Sequence, residues 1–375
     1  MNKAIELCCS KLKSRFNYAP AAILVLLGFA FYVDSNKWFA NILYLTCLVP
    51  GLVFLYKQTG ALKQFKSFFL SLFLYCLYLS VVLALDGYGP EHIKYYLLLV
   101  LFFYFVCFGG AAFYHGFRVY IVMLVFCTVA ITYALLKSDI SVGGRYDFSG
   151  LNANRVSWLI ILPAAWFLWY SFEKAKPYRY VAVFLLVFSF ISDFYLLGSR
   201  TLLLFMMVYA LFFIYEFRRR FTLDDFKCFS IIALALIFLV FLFHEFLYHR
   251  FALRGGSYRL DIWLDMLNRV TVEQCYIFGC GKVSEYRFLG AFDNPHGVYA
   301  STLYYYGAVG LLVLFLFLYV CYSQLRGFYR AWFVACLFCF IFTHVEIVES
   351  PSILWLYFWM PLFIGILDKR GFVNA

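Results

Sequence analysis

The segment Arg254-Gly-Gly-Ser-Tyr-Arg259-Leu-Asp-Ile-Trp263 changes from a glycine-rich turn into the pattern of an amphipathic helix. It lies in the stretch from His249 to Gly297, which is too polar to cross a membrane, in a chain that is otherwise almost continuously apolar. Apolar stretches of span length precede this polar stretch and follow it. The sequence therefore predicts a membrane scaffold around one large, cation-rich loop.

The composition places the chain among integral membrane proteins. Hydrophobic residues make up 65% of it and charged residues only 14%, whereas charged residues alone are about a quarter of a soluble domain. The apolar runs are continuous over roughly 20 residues, as in membrane helices, and do not alternate over about ten residues as barrel strands do. We expect an all-α integral membrane protein.

Twelve spans are predicted from the apolar runs. They cover residues 18 to 33, 38 to 56, 67 to 85, 95 to 113, 118 to 136, 156 to 172, 178 to 197, 200 to 217, 228 to 248, 298 to 320, 331 to 348 and 353 to 367. The first lacks a small-residue cleavage site and is taken as a retained span. The expected organisation is nine spans in residues 1–248, a periplasmic loop at 249–297 and three spans in 298–375.

The distribution of cations predicts the orientation. With both termini in the cytoplasm, most of the 31 Lys and Arg residues fall on the cytoplasmic side, as the positive-inside rule requires. Many of the remaining cations belong to the long external loop: Arg250, Arg254, Arg259, Arg269, Lys282 and Arg287. The net charge of +11 is then largely a matter of topology, and we do not expect a nucleic-acid partner.

Other site types have little support in the sequence. Cys275 and Cys280 share the external loop and could pair in an oxidising periplasm, although sequence does not fix their geometry. No CxxC or HExxH spacing occurs, so no metal site is expected. The spans show no inverted pair of interrupted helices and little charge at mid-depth, which counts against a transporter.

Arginines at two external positions are candidate anion ligands. Arg200, in Leu197-Gly-Ser-Arg200-Thr, joins two spans near the outer surface, where it is either an interfacial anchor or a guanidinium that binds phosphate. Arg259 and Trp263 are four residues apart and share a helix face if Ser257 is the N-cap. The first turn after Gly255-Gly256 also favours an anion. The alternative is a helix lying on the headgroups through Leu260, Trp263, Leu264 and Leu267.

Two further features complete the candidate site. His296 closes the external loop where the chain re-enters the membrane; it is either structural or, near arginines that hold a diphosphate, a general base. The turn from Gly143 to Arg155 adds Arg145 and Arg155 outside and places Asn154 as a helix cap. We therefore expect Arg145, Asn154, Arg155, Arg254 and Trp263 to contact substrate.

These motifs resemble the O-antigen ligase and polymerase family of bacterial envelope enzymes. The resemblance rests on Gly-Ser-Arg at 198 to 200, Arg-x-x-x-Trp at 259 to 263, Phe-Gly-x-Gly at 278 to 281, the closing histidine and the turn at 150 to 154. In this chain Ala153 replaces a common proline, and Gly297 stands where the family often has Asn or Ser. Asn294 or Asp293 would then orient the imidazole.

The resemblance implies a GT-C-like fold with twelve membrane helices and a metal-independent, cofactor-free glycosyltransferase in the bacterial inner membrane. Its site would face the periplasm, with Arg200 and Arg259 on the diphosphate of an undecaprenyl-diphosphate-linked glycan and His296 as the base. We expect an O-antigen ligase that uses lipid A-core as acceptor in lipopolysaccharide biosynthesis, surrounded by membrane lipid. A polymerase that joins lipid-linked repeat units is the main alternative, and a flippase or exporter is a weaker one.

Overall fold

The computed structural model describes most of the chain. The residues described are 41–57, 61–87, 91–137, 153–173, 178–192, 200–218, 258–281, 286–290, 293–343, 346–349, 351–352 and 354–371, with single positions at 222, 230, 234 and 241. Every extended regular element within them is helical, which confirms the predicted all-α class. The predicted span at 18 to 33, and nearly all of the one at 228 to 248, lie outside these residues.

The described helices follow one another along the chain in the order α1 to α11. They are α1 (Val49–Lys57), α2 (Ala61–Gln64), α3 (Lys66–Leu85), α4 (Glu91–Lys137), α5 (Ala153–Glu173), α6 (Tyr178–Ile191), α7 (Arg200–Phe217), α8 (Arg259–Val272), α9 (Val298–Ser323), α10 (Gly327–Cys339) and α11 (Met360–Lys369). Single π-helical turns precede α1 (Tyr44–Leu48) and α11 (Trp355–Trp359).

Several predicted spans coincide with helices, and α3, α5, α6 and α7 begin within a few residues of the expected positions. Among the described residues, α3 is long and apolar enough to cross a membrane, and α9 meets the same criteria only when its length is counted across the break at Gly307 described below. The spans expected at 95 to 113 and 118 to 136 lie instead in one uninterrupted helix of 47 residues. The stretch between them, CFGGAAFYHGF at 107 to 117, contains three glycines that favour a turn, but it has no proline, so every residue keeps the N–H that a continuous helix needs.

Helix α9 folds back on itself at Gly307. Gly307 has φ 69° and ψ −171°, which is far from helical geometry. The ring of Tyr299 stacks on that of Phe315 with centroids 5.6 Å apart, although 16 residues of straight helix would separate them by about 24 Å. A Cβ placed on Gly310 would lie 3.7 Å from Thr302. The predicted span at 298 to 320 is therefore two antiparallel arms, a first arm (298–306) and a second arm (308–323).

The break in α9 leaves four backbone groups without their usual partners, and the loop 275–281 supplies new ones. The amides of Ala308 and Val309 donate to the carbonyls of Tyr276 and Ile277 (2.8 and 3.1 Å). The carbonyls of residues 304 and 305 accept from the amides of residues 280 and 281 (2.7 and 3.3 Å). A buried polar group without a partner costs about 1–3 kcal/mol. The loop is thus a structural part of the reversal.

A disulfide between Cys275 and Cys280 closes this loop, with the two Cα atoms 4.9 Å apart. Gly279 and Gly281 have φ of 90° and 72°. A Cβ at Gly279 would overlap the backbone of Tyr305, and a Cβ at Gly281 would overlap the carboxylate of Asp86. The Phe-Gly-x-Gly motif therefore serves close packing of the loop against α9 and the end of α3.

Helix α3 packs antiparallel to the second arm of α9. The ring of Tyr75 stacks on Phe317 (centroids 5.7 Å apart), whereas Tyr78, one turn nearer the C-terminus of α3, lies against Gly310. The Tyr78 hydroxyl donates to the carbonyl of Tyr306 (2.8 Å), beside the break. The C-terminal end of α3 and the loop 275–281 thus lie at the same end of this helix pair.

The predicted span at 331 to 348 differs from the observed elements, whereas residues 354 to 369 are helical, close to the predicted span at 353 to 367. Helix α10 ends at Cys339, and residues 340 to 343 and 346 to 349 form turns and irregular backbone, so 331 to 348 is not one helix. The irregular stretch is held by side chains: the Trp359 indole donates to the Ile347 carbonyl (3.1 Å) and the Tyr306 hydroxyl to Glu346 (2.9 Å).

The chain divides into two compact units. The first contains residues 1–120, 259–333 and 340–375, and it includes α3, α8, α9 and α11. The second contains residues 121–258 and 334–339 and is built on α5, α6 and α7. In the second unit the Tyr209 hydroxyl donates to the Ala165 carbonyl (2.8 Å), and Trp169 packs edge-on against Phe217 (4.5 Å), which joins α7 to α5.

Candidate active site

The start of α8 and the end of the polar stretch meet over the ring of Phe342. Arg259 is the first residue of α8, and its guanidinium carbon lies 5.3 Å from the centroid of that ring. Trp263, one turn later, stacks on the same ring with centroids 5.8 Å apart and planes 24° apart. Arg259 and Trp263 therefore share one face of the helix, as their spacing predicts.

Trp263 also holds the turn that carries His296. Its indole N–H donates to the carbonyl oxygens of Pro295 and His296, both at 3.1 Å. Trp263 is thus turned toward the protein and does not belong to an outward face with the leucines of α8. The expected face that combined Trp263 with Leu260, Leu264 and Leu267 is wrong in this respect.

The residues before His296 form a hydrogen-bonded turn. The side-chain oxygen of Asn294 accepts from the backbone N–H of His296 (3.0 Å), and the Asn294 amide donates to the Asp293 carboxylate (2.9 Å). His296 has φ 47°, a left-handed conformation that few non-glycine residues adopt. The Asn294 side chain therefore positions the backbone of His296, and with it the Cα from which the imidazole side chain extends.

Gly297 is required by the packing of this turn. Its φ is 125°, and a Cβ at this position would overlap the carbonyl oxygen of Ile341. The next residue, Val298, donates its N–H to the carbonyl of Phe340 (2.8 Å). The Asn or Ser that often follows the histidine in the resembling family would not fit here, which accounts for the departure at this position.

Burial and charge set the protonation of His296. Burial lowers its pKa below the ordinary value of 6.5, the charge of Arg259 lowers it further, and the carboxylate of Asp293 opposes them in part. The imidazole is therefore mainly neutral at neutral pH, the form that accepts a proton. A neutral imidazole beside a fixed guanidinium can take a proton from a hydroxyl while the cation stabilises a neighbouring anion.

The middle of α8 is fixed by contacts that do not involve the site. Arg269 forms an ion pair with Asp265 (2.9 Å), donates to the carbonyl of Arg287 (2.7 Å) and lies over the ring of Tyr286 (5.0 Å). Tyr286 donates its hydroxyl to the Ile262 carbonyl (2.8 Å). Arg269 is thus a structural residue among the loop cations.

The other predicted site residues are placed only in part. Arg200 is the first residue of α7, in the second unit, and Asn154 and Arg155 lie in the first turn of α5; only their backbones are described. Arg145, Arg254 and the expected N-cap Ser257 lie outside the described residues. Among the predicted residues, the structure brings together Arg259, Trp263 and His296.

Phe342 is the residue that the sequence analysis missed. It lies in the aromatic run from Phe338 to Phe342, inside a stretch that was expected to be helical, and nothing distinguishes it locally from the other phenylalanines. Its role follows from the end of α10 at Cys339, which turns the backbone and brings residue 342 against α8.

One further cluster resembles a metal site by composition. Ligand atoms of Glu273, Cys275 and Cys280 lie within 4.8 Å of one another. The two sulfurs are joined in the disulfide, so they are not present as the thiolates that bind zinc. The cluster is therefore part of the loop closure described above.

The resemblance to the ligase and polymerase family rests on short motifs and on their order along the chain. A scan of the chain against models of protein families finds no match, and a search of curated proteins finds none either. The functional assignment consequently depends on the geometry of Arg259, Trp263 and His296.

Proposed function

We propose that this protein is a membrane-bound glycosyltransferase of the O-antigen ligase type. It transfers a glycan from undecaprenyl diphosphate to a sugar hydroxyl of lipid A-core, at the periplasmic face of the bacterial inner membrane. The proposal combines the motif resemblance with the site around Phe342. The finer elements of the predicted fold, a set of membrane spans and a loop on the periplasmic side, belong to this proposal, with the spans at 95 to 136, 298 to 320 and 331 to 348 corrected as described above.

The observation that carries the proposal is the proximity of Arg259 and His296. Both are held by one aromatic pair: Arg259 lies on Phe342, and Trp263 connects Phe342 to the backbone of His296. The guanidinium is close enough for its charge to lower the pKa of the imidazole. Glycosyl transfer from a diphosphate needs these two functions together, a cation for the leaving group and a base for the acceptor.

In the proposed reaction, neutral His296 removes the proton from the acceptor hydroxyl. The hydroxyl oxygen forms a bond to the anomeric carbon as the bond from that carbon to the diphosphate oxygen breaks. The electron pair leaves with undecaprenyl diphosphate, whose charge Arg259 stabilises through bidentate hydrogen bonds; the family resemblance implies the same role for Arg200. Attack from the side opposite the diphosphate inverts the anomeric configuration.

The apolar helices support a lipid-linked donor. Helix α3 is long and apolar enough to cross a membrane, and the second arm of α9 packs along it. The site is adjacent to this helix pair in the chain, because His296 lies two residues before the first residue of α9. A substrate anchored in the bilayer would therefore be near the site.

Deletion of the gene, followed by a lipopolysaccharide gel, tests the proposed reaction in cells. Loss of a ligase leaves lipid A-core without any attached glycan, whereas loss of a polymerase leaves core with a single repeat unit. Complementation with His296→Asn should fail, and complementation with His92→Ala, a change at the start of α4, should succeed. Core carrying a single unit would favour the polymerase, and an unchanged ladder would reject both activities.

A further inference from the structure

Helix α8 has one buried face and a broad exposed face. Ile262, Met266 and Val270 are buried against the protein. Leu260, Leu264 and Leu267 form an apolar stripe with exposed fractions of 68%, 65% and 47%. Asp261 and Asn268 are also exposed and border this stripe along one edge, since Asn268 lies one turn after Leu264. A helix that exposes a leucine stripe with polar residues along one edge fits the boundary between lipid and water.

The fold of α9 shows where α8 lies along the length of the second arm. Tyr299 stacks beside Phe315, eight residues beyond the break at Gly307, so the beginning of the first arm lies about 12 Å along the second arm from the break. His296 lies only three residues before Tyr299. The candidate site therefore lies beside the middle of the apolar second arm, at least about 12 Å along that arm from Gly307.

Helix α8 covers the same interval. Near its beginning Trp263 bonds to the carbonyl of His296, and the loop after its end bonds to Ala308 and Val309 beside the break. The leucine stripe consequently lies between the level of the site and the level of Gly307. This interval of about 12 Å is close to the thickness of one hydrocarbon leaflet, about 15 Å.

The exposed apolar surface continues from the stripe to the second arm of α9. The loop 275–281 exposes Tyr276, Ile277 and Phe278 at its tip. The Ile277 carbonyl bonds to Val309, one turn before the exposed Leu312 of the second arm. Because the second arm packs along α3, which is long and apolar enough to cross a membrane, the occupant that fits this continuous surface is the acyl-chain region of the bilayer.

We propose that α8 and the loop 275–281 are a re-entrant element of the outer leaflet, with the stripe Leu260, Leu264 and Leu267 in contact with lipid acyl chains. The polar residues Asp261 and Asn268, at one edge of the stripe, face water. This proposal rests on the membrane location stated under the proposed function. It replaces a periplasmic loop by an element that brings Arg259 and His296 below the membrane surface.

Photo-crosslinking tests this placement in the full-length protein in phosphatidylcholine bilayers. The photoreactive residue p-benzoylphenylalanine is introduced at Leu267 or, as a matched control on the same helix, at Asp261, which lies about 120° away around the helix axis. Because benzophenone abstracts hydrogen from nearby C–H bonds, a lipid adduct should form at position 267 and not at position 261. Mass spectrometry of the purified protein detects the added mass of one phospholipid.

A third position separates failure of this inference from failure of the membrane proposal. Leu312, on the second arm, should also give a lipid adduct if the protein spans a bilayer. An adduct at 312 without one at 267, or equal adducts at 267 and 261, would overturn the re-entrant placement alone. No adduct at 312 or 267 would overturn both proposals. A crosslink from 267 to a second polypeptide would assign the stripe to a protein partner and also overturn the inference.

Discussion

The indole N–H of Trp263 donates to the carbonyl oxygen of His296 at 3.1 Å and to that of Pro295 at the same distance. This contact joins α8 to the turn before α9 across 33 residues of sequence. Trp263 is therefore a positioning residue. Its indole N–H holds the backbone of the proposed base, and its ring stacks on Phe342, which Arg259 also contacts.

We expect Trp263→Phe to uncouple the position of His296 from α8. Phenylalanine keeps the stacking on Phe342 but removes the N–H donor, so the carbonyls of Pro295 and His296 lose a partner at a cost of about 1 kcal/mol. Turnover should fall, with donor affinity nearly unchanged. Steady-state kinetics with purified protein measures both. An equal loss of donor binding and turnover would instead assign Trp263 to the donor site.

His296→Asn tests the base more cleanly than His296→Ala. Asparagine tolerates the left-handed backbone at φ 47°, so the turn should survive while the proton acceptor is lost. Transfer should slow by roughly 10² to 10⁴, and donor affinity and thermal stability should stay near wild type. Turnover within a few-fold of wild type in a stable His296→Asn protein would remove the imidazole from the mechanism.

The rate should depend on pH through the lowered pKa of His296. Burial and Arg259 favour the neutral imidazole, so turnover should be high at neutral pH and fall only when acidification passes a pKa below 6.5. Asp293→Asn removes the charge that raises this pKa and should move the inflection to lower pH. The pH profiles of the two proteins measure the shift. An inflection that does not move would mean that another group titrates.

The same pKa shift predicts a change in stability. Because the pKa is lower in the folded protein than in the unfolded chain, the unfolded chain binds more protons below about pH 6.5. Wild-type stability should therefore fall with acidification through this range, and His296→Asn should lose less. Thermal denaturation of both proteins between pH 7.5 and 5 measures the difference. Parallel curves would contradict the shift.

Lysine substitutions test the proposed diphosphate contacts. Arg200→Lys and Arg259→Lys keep the charge but lose the bidentate geometry, and each should reduce transfer by about tenfold or more. Arg269→Lys is the matched control on α8, because Arg269 pairs with Asp265 and lies outside the site. It should keep activity. Near-normal transfer by Arg200→Lys and Arg259→Lys at equal protein levels would argue against a guanidinium clamp.

The reversal of α9 should depend on the absence of a side chain at Gly307. Gly307 and Gly290 have similar φ, 69° and 67°, but a Cβ would overlap the Ile277 carbonyl at Gly307 and meet nothing within 4 Å at Gly290. Gly290→Ala should cost only the backbone strain, about 1 kcal/mol. Gly307→Ala must also displace the loop 275–281, and its ψ of −171° lies in a region essentially restricted to glycine, so it should lower the denaturation midpoint much further. Equal effects would contradict the loop's role.

The sequence by itself determined the helical class, the positions of α3, α5 and α7, and the shared face of Arg259 and Trp263. These follow from local properties. Apolar runs of helical length exclude strands and extended loops, and residues four apart on a helix necessarily lie on one side of it. The amphipathic character of α8 was likewise predicted from its own residues.

Only the tertiary structure decided the reversal at Gly307, the fit of Gly297 against Ile341 and the contact of Phe342 with Arg259. Each depends on a part of the backbone far away in sequence. This is the Ile277 carbonyl in the first case, the Ile341 carbonyl in the second and the turn that follows α10 in the third. An apolar run has the same hydropathy whether it continues straight or folds back. The difference lies in where the four freed backbone groups of α9 find partners, and those partners are in the loop 275–281.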